Sequence, residues 1–128
     1  MNRRPRVFEL QEANALLPEI DSLLGELEQR HEAFQKLQEE LFFEELLEQC
    51  VPPEEKLRAL EESLTAMETE ISKIRELGCL LRHPAKGLVD FLARKEGEWV
   101  FYCWRRGEKA IQFYHTLRGG YLERHPLS

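Results

Sequence analysis

Hydrophobic residues in the first half of the chain recur at alternating steps of three and four. A spacing near 3.5 residues is typical of α-helices that pack side by side at a shallow angle. The first run comprises Leu10, Ala13, Leu17, Ile20, Leu24, Leu27, His31 and Phe34, and the second comprises Leu57, Leu60, Leu64, Met67, Ile71 and Ile74. The pattern therefore predicts two long helices, with His31 as a polar packing residue in the first seam.

The two predicted helices form an antiparallel hairpin of unequal arms. Pro52 and Pro53 lie between them and are expected to end one helix and begin the next. A helix over residues 9–49 spans about 60 Å, whereas one that ends near residue 77 spans about 35 Å. Residues 10–24 consequently extend past the shorter arm, and we expect the C-terminal part to cover them.

Two features of the longer helix need their own explanation. Pro18 removes a helical hydrogen bond and disfavours helical geometry at Leu17, so we expect a kink or a break there. Near the loop, the helix carries an apolar cluster that one hairpin end is too small to bury. We expect this cluster to pack on the second helix or on a second copy, and we favour a homodimer with four helices. Its members are Leu41, Phe42, Phe43, Leu46 and Leu47.

After Gly78 the hydrophobic period changes to two, which predicts β-strands over 88–94 and 98–104. With Glu96-Gly97 as a two-residue turn, Asp90 lies opposite Cys103. One face of this ribbon carries no charge and is the expected core side: Val89, Phe91, Ala93, Val100, Tyr102 and Trp104. The predicted fold class is α+β, a coiled-coil-like helical hairpin followed by a small antiparallel sheet and a short C-terminal helix or turn.

Size and charge narrow the function classes. A chain of 128 residues is expected to form a single domain, with the hairpin over 9–77 and a head over 78–128. The hairpin has 19 acidic and 6 basic residues, whereas the head has 5 acidic and 9 basic ones. This balance disfavours nucleic acid as a partner and assigns any anion site to the head. No apolar run is long enough for a membrane span or signal peptide, so a cytoplasmic location is expected. The three cysteines lack a C-x-x-C pair and are expected to be reduced.

The candidate chemistry is concentrated around the end of the second strand. Asp90 is either a structural acid paired with Arg105 or a ligand contact. Glu108 and His115 share a face if residues 108–116 are helical, and such a pair binds a divalent metal or acts as an acid and base. A third metal ligand has to come through the fold from Cys103, Asp90 or His83. The candidate ligand-binding residues are thus Asp90, Cys103, Arg105, Glu108 and His115.

Two functions fit these observations. The first is a small dimeric binding or interaction module that takes a protein or a small anionic ligand at a polar site over residues 103–115. The second is a small metal-dependent or acid-base enzyme that uses Glu108 and His115. The sequence contains no phosphate-binding loop, nucleophile elbow or dinucleotide fingerprint that would name a reaction.

Four different short motifs follow one another along nearly the whole chain. They are F-x-L-x-E-A-N-A-L-L-P from Phe8, G-L-V-D-F from Gly87, C-W-R-x-G-E from Cys103 and the aromatic pair before His115. In this order they resemble the bacterial "domain of unknown function 2203" family. The resemblance implies a small intracellular α+β protein and no established activity. The matching positions are Asn14, Gly87, Asp90, Cys103, Trp104, Arg105, Gly107, Glu108 and His115. The chain departs from the family in two features: Glu9 replaces a capping Ser or Thr, and Phe113-Tyr114 replaces a pair that often contains tryptophan.

Overall fold

The computed structural model describes residues 6–48 and 54–128, in which two helices precede a five-stranded antiparallel sheet. The helices are α1 (Leu10–Glu48) and α2 (Glu54–Glu76). The strands are β1 (Leu80–His83), β2 (Leu88–Lys95), β3 (Glu98–Arg105), β4 (Phe113–Thr116) and β5 (His125–Pro126). They lie side by side in the sheet in the same order as in the sequence. Short 3₁₀ turns occupy Pro84–Lys86 and Tyr121–Glu123. The predicted α+β class is confirmed, whereas Cys50, Pro52 and Pro53 lie outside the described residues.

The start of α1 is capped although Glu9 replaces the usual hydroxyl residue. The Glu12 carboxylate accepts a hydrogen bond from the Glu9 N–H at 3.0 Å and pairs with Arg6 at 2.9 Å. Both contacts hold the pKa of Glu12 below its usual range, and the hydrogen bond to the Glu9 backbone has the larger effect. The arrangement is the glutamate half of a capping box, which satisfies a backbone donor that no helical carbonyl reaches.

Pro18 lies inside α1, and the helix continues through it without interruption. Of the two expectations, the break is therefore wrong, while the kink stays a prediction. The neighbouring side chains supply the reason, because Leu17 and Ile20 are buried against the rest of the protein and hold the helix on both sides of the proline. Tertiary packing of this kind outweighs the cost of one missing helical hydrogen bond.

The two helices pack against each other, but the predicted seams are only partly buried. Leu57 and Leu64 of α2 remain 42% and 41% exposed, and His31 of α1 is also exposed. The assignment of His31 as a packing residue is therefore wrong. A single partner helix covers one side of an apolar stripe, so its other side stays open to solvent. The fully buried positions of α2 are instead Glu70 and Ile74.

The sheet has the register that the Glu96-Gly97 turn predicts. Both turn residues have positive φ, 53° and 84°, as a type I′ hairpin requires. Asp90 lies opposite Cys103, as predicted. The uncharged face is buried as predicted, with no residue more than 8% exposed: Val89, Phe91, Ala93, Val100, Tyr102 and Trp104.

The part of α1 that extends past α2 covers this buried face, which confirms the predicted packing. Ala13, Leu17, Ile20 and Leu24 belong to one hydrophobic cluster with the sheet residues. Asn14 adds a polar tie, because its Oδ1 accepts a hydrogen bond from the backbone N–H of Ile111 at 2.8 Å. The opposite face of the sheet is not covered by α1.

The expectation of a helix over residues 108–116 is wrong. The chain leaves β3 through a turn, crosses a short irregular segment and forms β4. β4 pairs with β3 on one side and with β5 on the other, so its backbone groups are satisfied as part of the sheet. The composition of β4, two aromatics, a histidine and a β-branched threonine, suits a strand.

Candidate functional site

Three polar side chains converge on the face of the sheet that α1 does not cover. Asp90, Cys103 and His115 come from three adjacent strands, β2, β3 and β4. Asp90 is directly opposite Cys103, and His115 is opposite Phe101, one same-face position away. Alternation along each strand therefore places all three on one side of the sheet. Asp90, Cys103 and His115 are 3%, 2% and 3% exposed, which is rare for polar groups unless they are paired.

The donor atoms of these three residues form a compact group. One oxygen of Asp90, Sγ of Cys103 and one ring nitrogen of His115 all lie within 4.8 Å of one another. Asp90 Oδ2 is 3.0 Å from His115 Nε2, and it also accepts a hydrogen bond from Arg82 Nε at 3.0 Å. Asp90 thus pairs with Arg82 and His115, rather than with the Arg105 partner considered from the sequence.

The second nitrogen of His115 fixes the orientation of the ring. Nδ1 lies 2.8 Å from the carbonyl oxygen of Thr116, which is only an acceptor, so Nδ1 carries a hydrogen and donates it. Nε2 then points at the Asp90 carboxylate, 3.0 Å from Oδ2. A cation between these two groups meets a ring nitrogen and a carboxylate oxygen that are already aimed at one point.

Cys103 is a protonated thiol in this environment. Burial raises the pKa of Cys103 to about 12, and the Asp90 carboxylate adds to the increase, while Arg124 partly opposes it. The thiolate is the nucleophilic form of cysteine, so this environment does not activate Cys103 as a nucleophile at neutral pH. A bound metal ion reverses that preference, since a coordinating thiol loses its proton.

A pocket of about 260 Å³ opens onto the three donors. Apolar walls are supplied by Leu88 and Leu117, and Tyr121 adds an aromatic ring with a hydroxyl group. Its remaining lining residues are Arg82, Asp90, Cys103, His115, Gly119 and Gly120. The donors are thus buried from bulk solvent but accessible to a small molecule in the pocket.

The other two residues of the predicted site lie in a neighbouring cluster. Glu108 accepts from the backbone N–H of Arg105 at 2.6 Å, and both of its carboxylate oxygens accept from Arg124. Arg105 donates to the hydroxyl group of Tyr121 at 3.3 Å. Glu108 is therefore engaged by arginine and backbone groups, and the helical face that was expected to join it to His115 does not exist.

Two arginines flank the site, and the sequence did not identify either as part of it. Arg82 comes from β1, a strand that the alternation pattern did not predict. Arg124 stacks over Phe113 and Tyr121, each with its guanidinium 4.1 Å from the ring centroid. Burial lowers the pKa of Arg124, but the hydrogen bonding and charge of Glu108, together with the electrostatic effects of Cys103 and Tyr121, raise the pKa overall. Arg82 reaches the site because β1 pairs with β2, and Arg124 reaches it because β5 pairs with β4.

A second, larger cleft of about 850 Å³ separates the helical hairpin from one end of the sheet. His31 and His83 line it, together with Arg106. Arg106 pairs across the cleft with Asp21 at 2.9 Å and Glu28 at 2.8 Å, which makes it a brace between head and hairpin. His83 therefore lies away from the group of Asp90, Cys103 and His115 and does not act as its additional ligand.

The donor set suits a transition metal better than a hard cation. One thiol, one imidazole and one carboxylate are typical zinc ligands, and three protein ligands leave a fourth tetrahedral position open. The His115 Nδ1–H bond to a backbone carbonyl is the support that metal-binding histidines usually have. No other group of three such side chains lies close enough to hold an ion in residues 6–48 and 54–128.

The fold and site define a small α+β protein with a buried Asp-Cys-His group on its sheet. Over residues 6–127 the chain matches the model of an uncharacterized conserved protein family, DUF2203, and it belongs to that family. No curated protein and no solved structure matches the chain. Among the described residues, none of the helices has the length and apolar character required for a membrane span.

Proposed function

We propose that this protein binds a zinc ion through Asp90, Cys103 and His115. The observation that carries the proposal is the convergence of three buried donors of different chemistry, all within 4.8 Å of one another. Tetrahedral zinc with one sulfur and lighter ligands needs ligand–ligand separations somewhat shorter than this, and small side-chain rotations supply the difference. The predicted pair of Glu108 and His115 is thereby replaced by a set that shares only His115.

Zinc binding replaces the Cys103 thiol proton and one ion pair at this site. Because the thiol loses its proton when it binds zinc, the apparent zinc affinity rises with pH. Arg82 competes for Asp90 in the metal-free protein, but its side chain is 49% exposed, so weakening its bond to Asp90 costs little. The protein's contribution is to hold the three ligands in place before the metal arrives.

Zinc affinity and stoichiometry test this proposal directly. Protein purified without a histidine tag is equilibrated with zinc and a chromophoric chelator. We expect one zinc per chain in the wild type, with affinity reduced by at least about 100-fold in C103A and H115Q. That loss exceeds the ~10–100-fold effect of removing a residue that only orients a ligand.

Matched controls separate loss of a ligand from general damage. C79A removes another buried cysteine, and H83Q removes a histidine outside the site, so both are expected to keep full zinc affinity. Circular dichroism and urea unfolding establish that each variant is folded. Zinc binding that is absent from the wild type, or unchanged in both C103A and H115Q, contradicts the proposal.

A second copy of this chain is the partner that the hairpin supports, and we propose a homodimer through its loop end. Four large apolar residues of α1 are 56–76% exposed there: Phe42, Phe43, Leu46 and Leu47. Leu57 and Leu64 of the α2 heptad run are also exposed. Heptad positions that one hairpin leaves uncovered are those that a four-helix arrangement buries, and a two-fold contact presents the same apolar patch from both sides.

Sedimentation equilibrium at micromolar concentration measures this association. We expect a dimer for the wild type and a monomer for the double variant F42S/L46S. L122S is the matched control, because Leu122 is 96% exposed in the head and should leave the dimer intact. A wild-type protein that stays monomeric at these concentrations contradicts the dimer but leaves the zinc proposal standing.

A further inference from the structure

We propose that the pocket above the zinc ligands takes a small carboxylate, which binds the open zinc position and the Arg82 guanidinium together. This inference rests on the proposed zinc site and names the class of ligand that completes it. Three properties of the pocket support it: the net charge of the zinc ion, its ligands and Arg82, the geometry of Arg82, and the residues that form the walls.

The charge balance favours one negative ligand. Zinc carries two positive charges, and the Cys103 thiolate and Asp90 carboxylate cancel them, while His115 binds as a neutral ring. Arg82 then has to share Asp90 with the metal, so its positive charge is no longer fully compensated. Arg124 also acts on Cys103, but it is paired with the Glu108 carboxylate, so the two together add no net charge. The Arg82 side chain is half-exposed, and its guanidinium lies beside the buried ligands, so a singly charged anion between the two is attracted to both.

Arg82 is placed to bind such an anion. Its guanidinium lies 4.9 Å from the ring centroid of Phe101, which restricts its plane. Its hydrogen bond to Asp90 uses only Nε, and its two terminal nitrogens donate to no group within the described part of the chain. Those nitrogens form the planar pair of donors that matches a carboxylate.

The walls of the pocket select a short organic acid over a bare inorganic ion. Leu88 and Leu117 offer apolar surface to a hydrocarbon chain. The Tyr121 hydroxyl accepts a hydrogen bond from Arg105, so its own hydrogen remains available for the second carboxylate oxygen. A volume of about 260 Å³ equals that of roughly nine water molecules, enough for a carboxylate with a few carbon atoms.

Cobalt(II) in place of zinc makes both proposals visible in one sample. A thiolate bound to cobalt gives a charge-transfer band in the near ultraviolet, and the visible bands respond to the fourth ligand. Butyrate is titrated into the cobalt-loaded protein, with butylamine as the cationic control of the same size. We expect a saturable change in the visible bands with butyrate and none with butylamine.

Variants of Arg82 identify the second anchor. In R82Q we expect cobalt to bind as tightly as in the wild type or more tightly, because a competitor for Asp90 is gone, while the butyrate affinity falls by about tenfold or more. R82K keeps the charge but loses the planar pair of donors. We expect its butyrate affinity to lie between those of the wild type and R82Q. R94Q is the matched control, since Arg94 also belongs to the sheet but stacks on Trp99 and does not line the pocket.

The outcomes separate the two proposals. A thiolate-to-cobalt band without a butyrate response overturns the carboxylate site and leaves the metal site standing. A butyrate response of equal affinity in R82Q overturns the role of Arg82. A protein that shows no thiolate-to-cobalt band overturns both.

Discussion

The carboxylate of Asp90 lies 3.0 Å from the imidazole of His115, across a sheet in which the two residues are 25 positions apart. Both side chains are almost fully buried, so the contact between them offsets the loss of their hydrogen bonds to water. D90N keeps the shape of the side chain but removes its charge, so Arg82 and His115 face a neutral amide instead of a carboxylate.

We expect D90N to lower the free energy of unfolding of the zinc-free protein by about 2–3 kcal/mol, because one partner of a buried pair is lost while Arg82 regains water. Urea denaturation at neutral pH measures the loss. D21N is the control, since Asp21 forms a half-exposed pair with Arg106, and its cost should stay below about 1 kcal/mol. Equal losses of stability in D90N and D21N would contradict a stabilising role for the buried pair of Asp90 and His115.

Gly87 and Gly97 both have positive φ, 65° and 84°, but only Gly87 is crowded. A Cβ atom at Gly87 would lie 2.5 Å from Arg106 Cβ, whereas nothing lies within 4 Å of one at Gly97. We expect G97A to cost about 1–2 kcal/mol for left-handed backbone alone. G87A should cost about 1–3 kcal/mol more because of the steric overlap. Urea unfolding of the two variants gives the comparison, and similar losses would refute the close approach.

Glu70 is the buried acid of the hairpin, with 2% exposure. Its Oε1 is 3.4 Å from Lys73 and 3.7 Å from Arg30, and its Oε2 has no hydrogen-bond partner among the described residues. We expect E70M to stabilise the protein by about 1–3 kcal/mol, since both cations are half-exposed and regain water. E68M on the exposed side of α2 should change stability by less than about 0.5 kcal/mol. A lower melting temperature in E70M would mean that the carboxylate is needed where it lies.

Cys79 makes the stability depend on alkaline pH. Burial raises the pKa of its thiol to about 11 from an ordinary value of 9.0. The folded protein therefore keeps the thiol proton that the unfolded chain releases, and this stabilisation is present below pH 9 and is lost as the pH rises towards 11. Two pH units correspond to at most about 3 kcal/mol. The urea midpoint should fall more steeply between pH 9 and 11 in the wild type than in C79A; parallel curves would contradict this assignment.

The sequence was sufficient for the parts of the fold set by local patterns. The Glu96-Gly97 turn fixes the register of β2 and β3, and that register alone places Asp90 opposite Cys103. The uncharged strand positions identified the core face for the same reason. Both inferences depend on a two-residue turn and a period of two, which are properties of adjacent residues.

The rest of the site depends on contacts that no local pattern specifies. β4 has only four residues, too few to show a period, so His115 was assigned to a helix and paired with Glu108. Arg82 reaches Asp90 because β1 pairs with β2, and Arg124 reaches the site because the C-terminal segment folds back along β4. Sequence could therefore name Asp90, Cys103 and His115 as candidates, but their joining into one group is a property of the sheet.

X-ray absorption at the zinc edge tests the central claim most directly, because it reports the ligand atoms themselves. For zinc-loaded wild-type protein we expect one sulfur at about 2.3 Å and nitrogen or oxygen neighbours at about 2.0–2.1 Å, including an imidazole signature, and no sulfur in C103A. A zinc shell without sulfur in the wild type, or the same sulfur shell in C103A, would contradict binding by Asp90, Cys103 and His115.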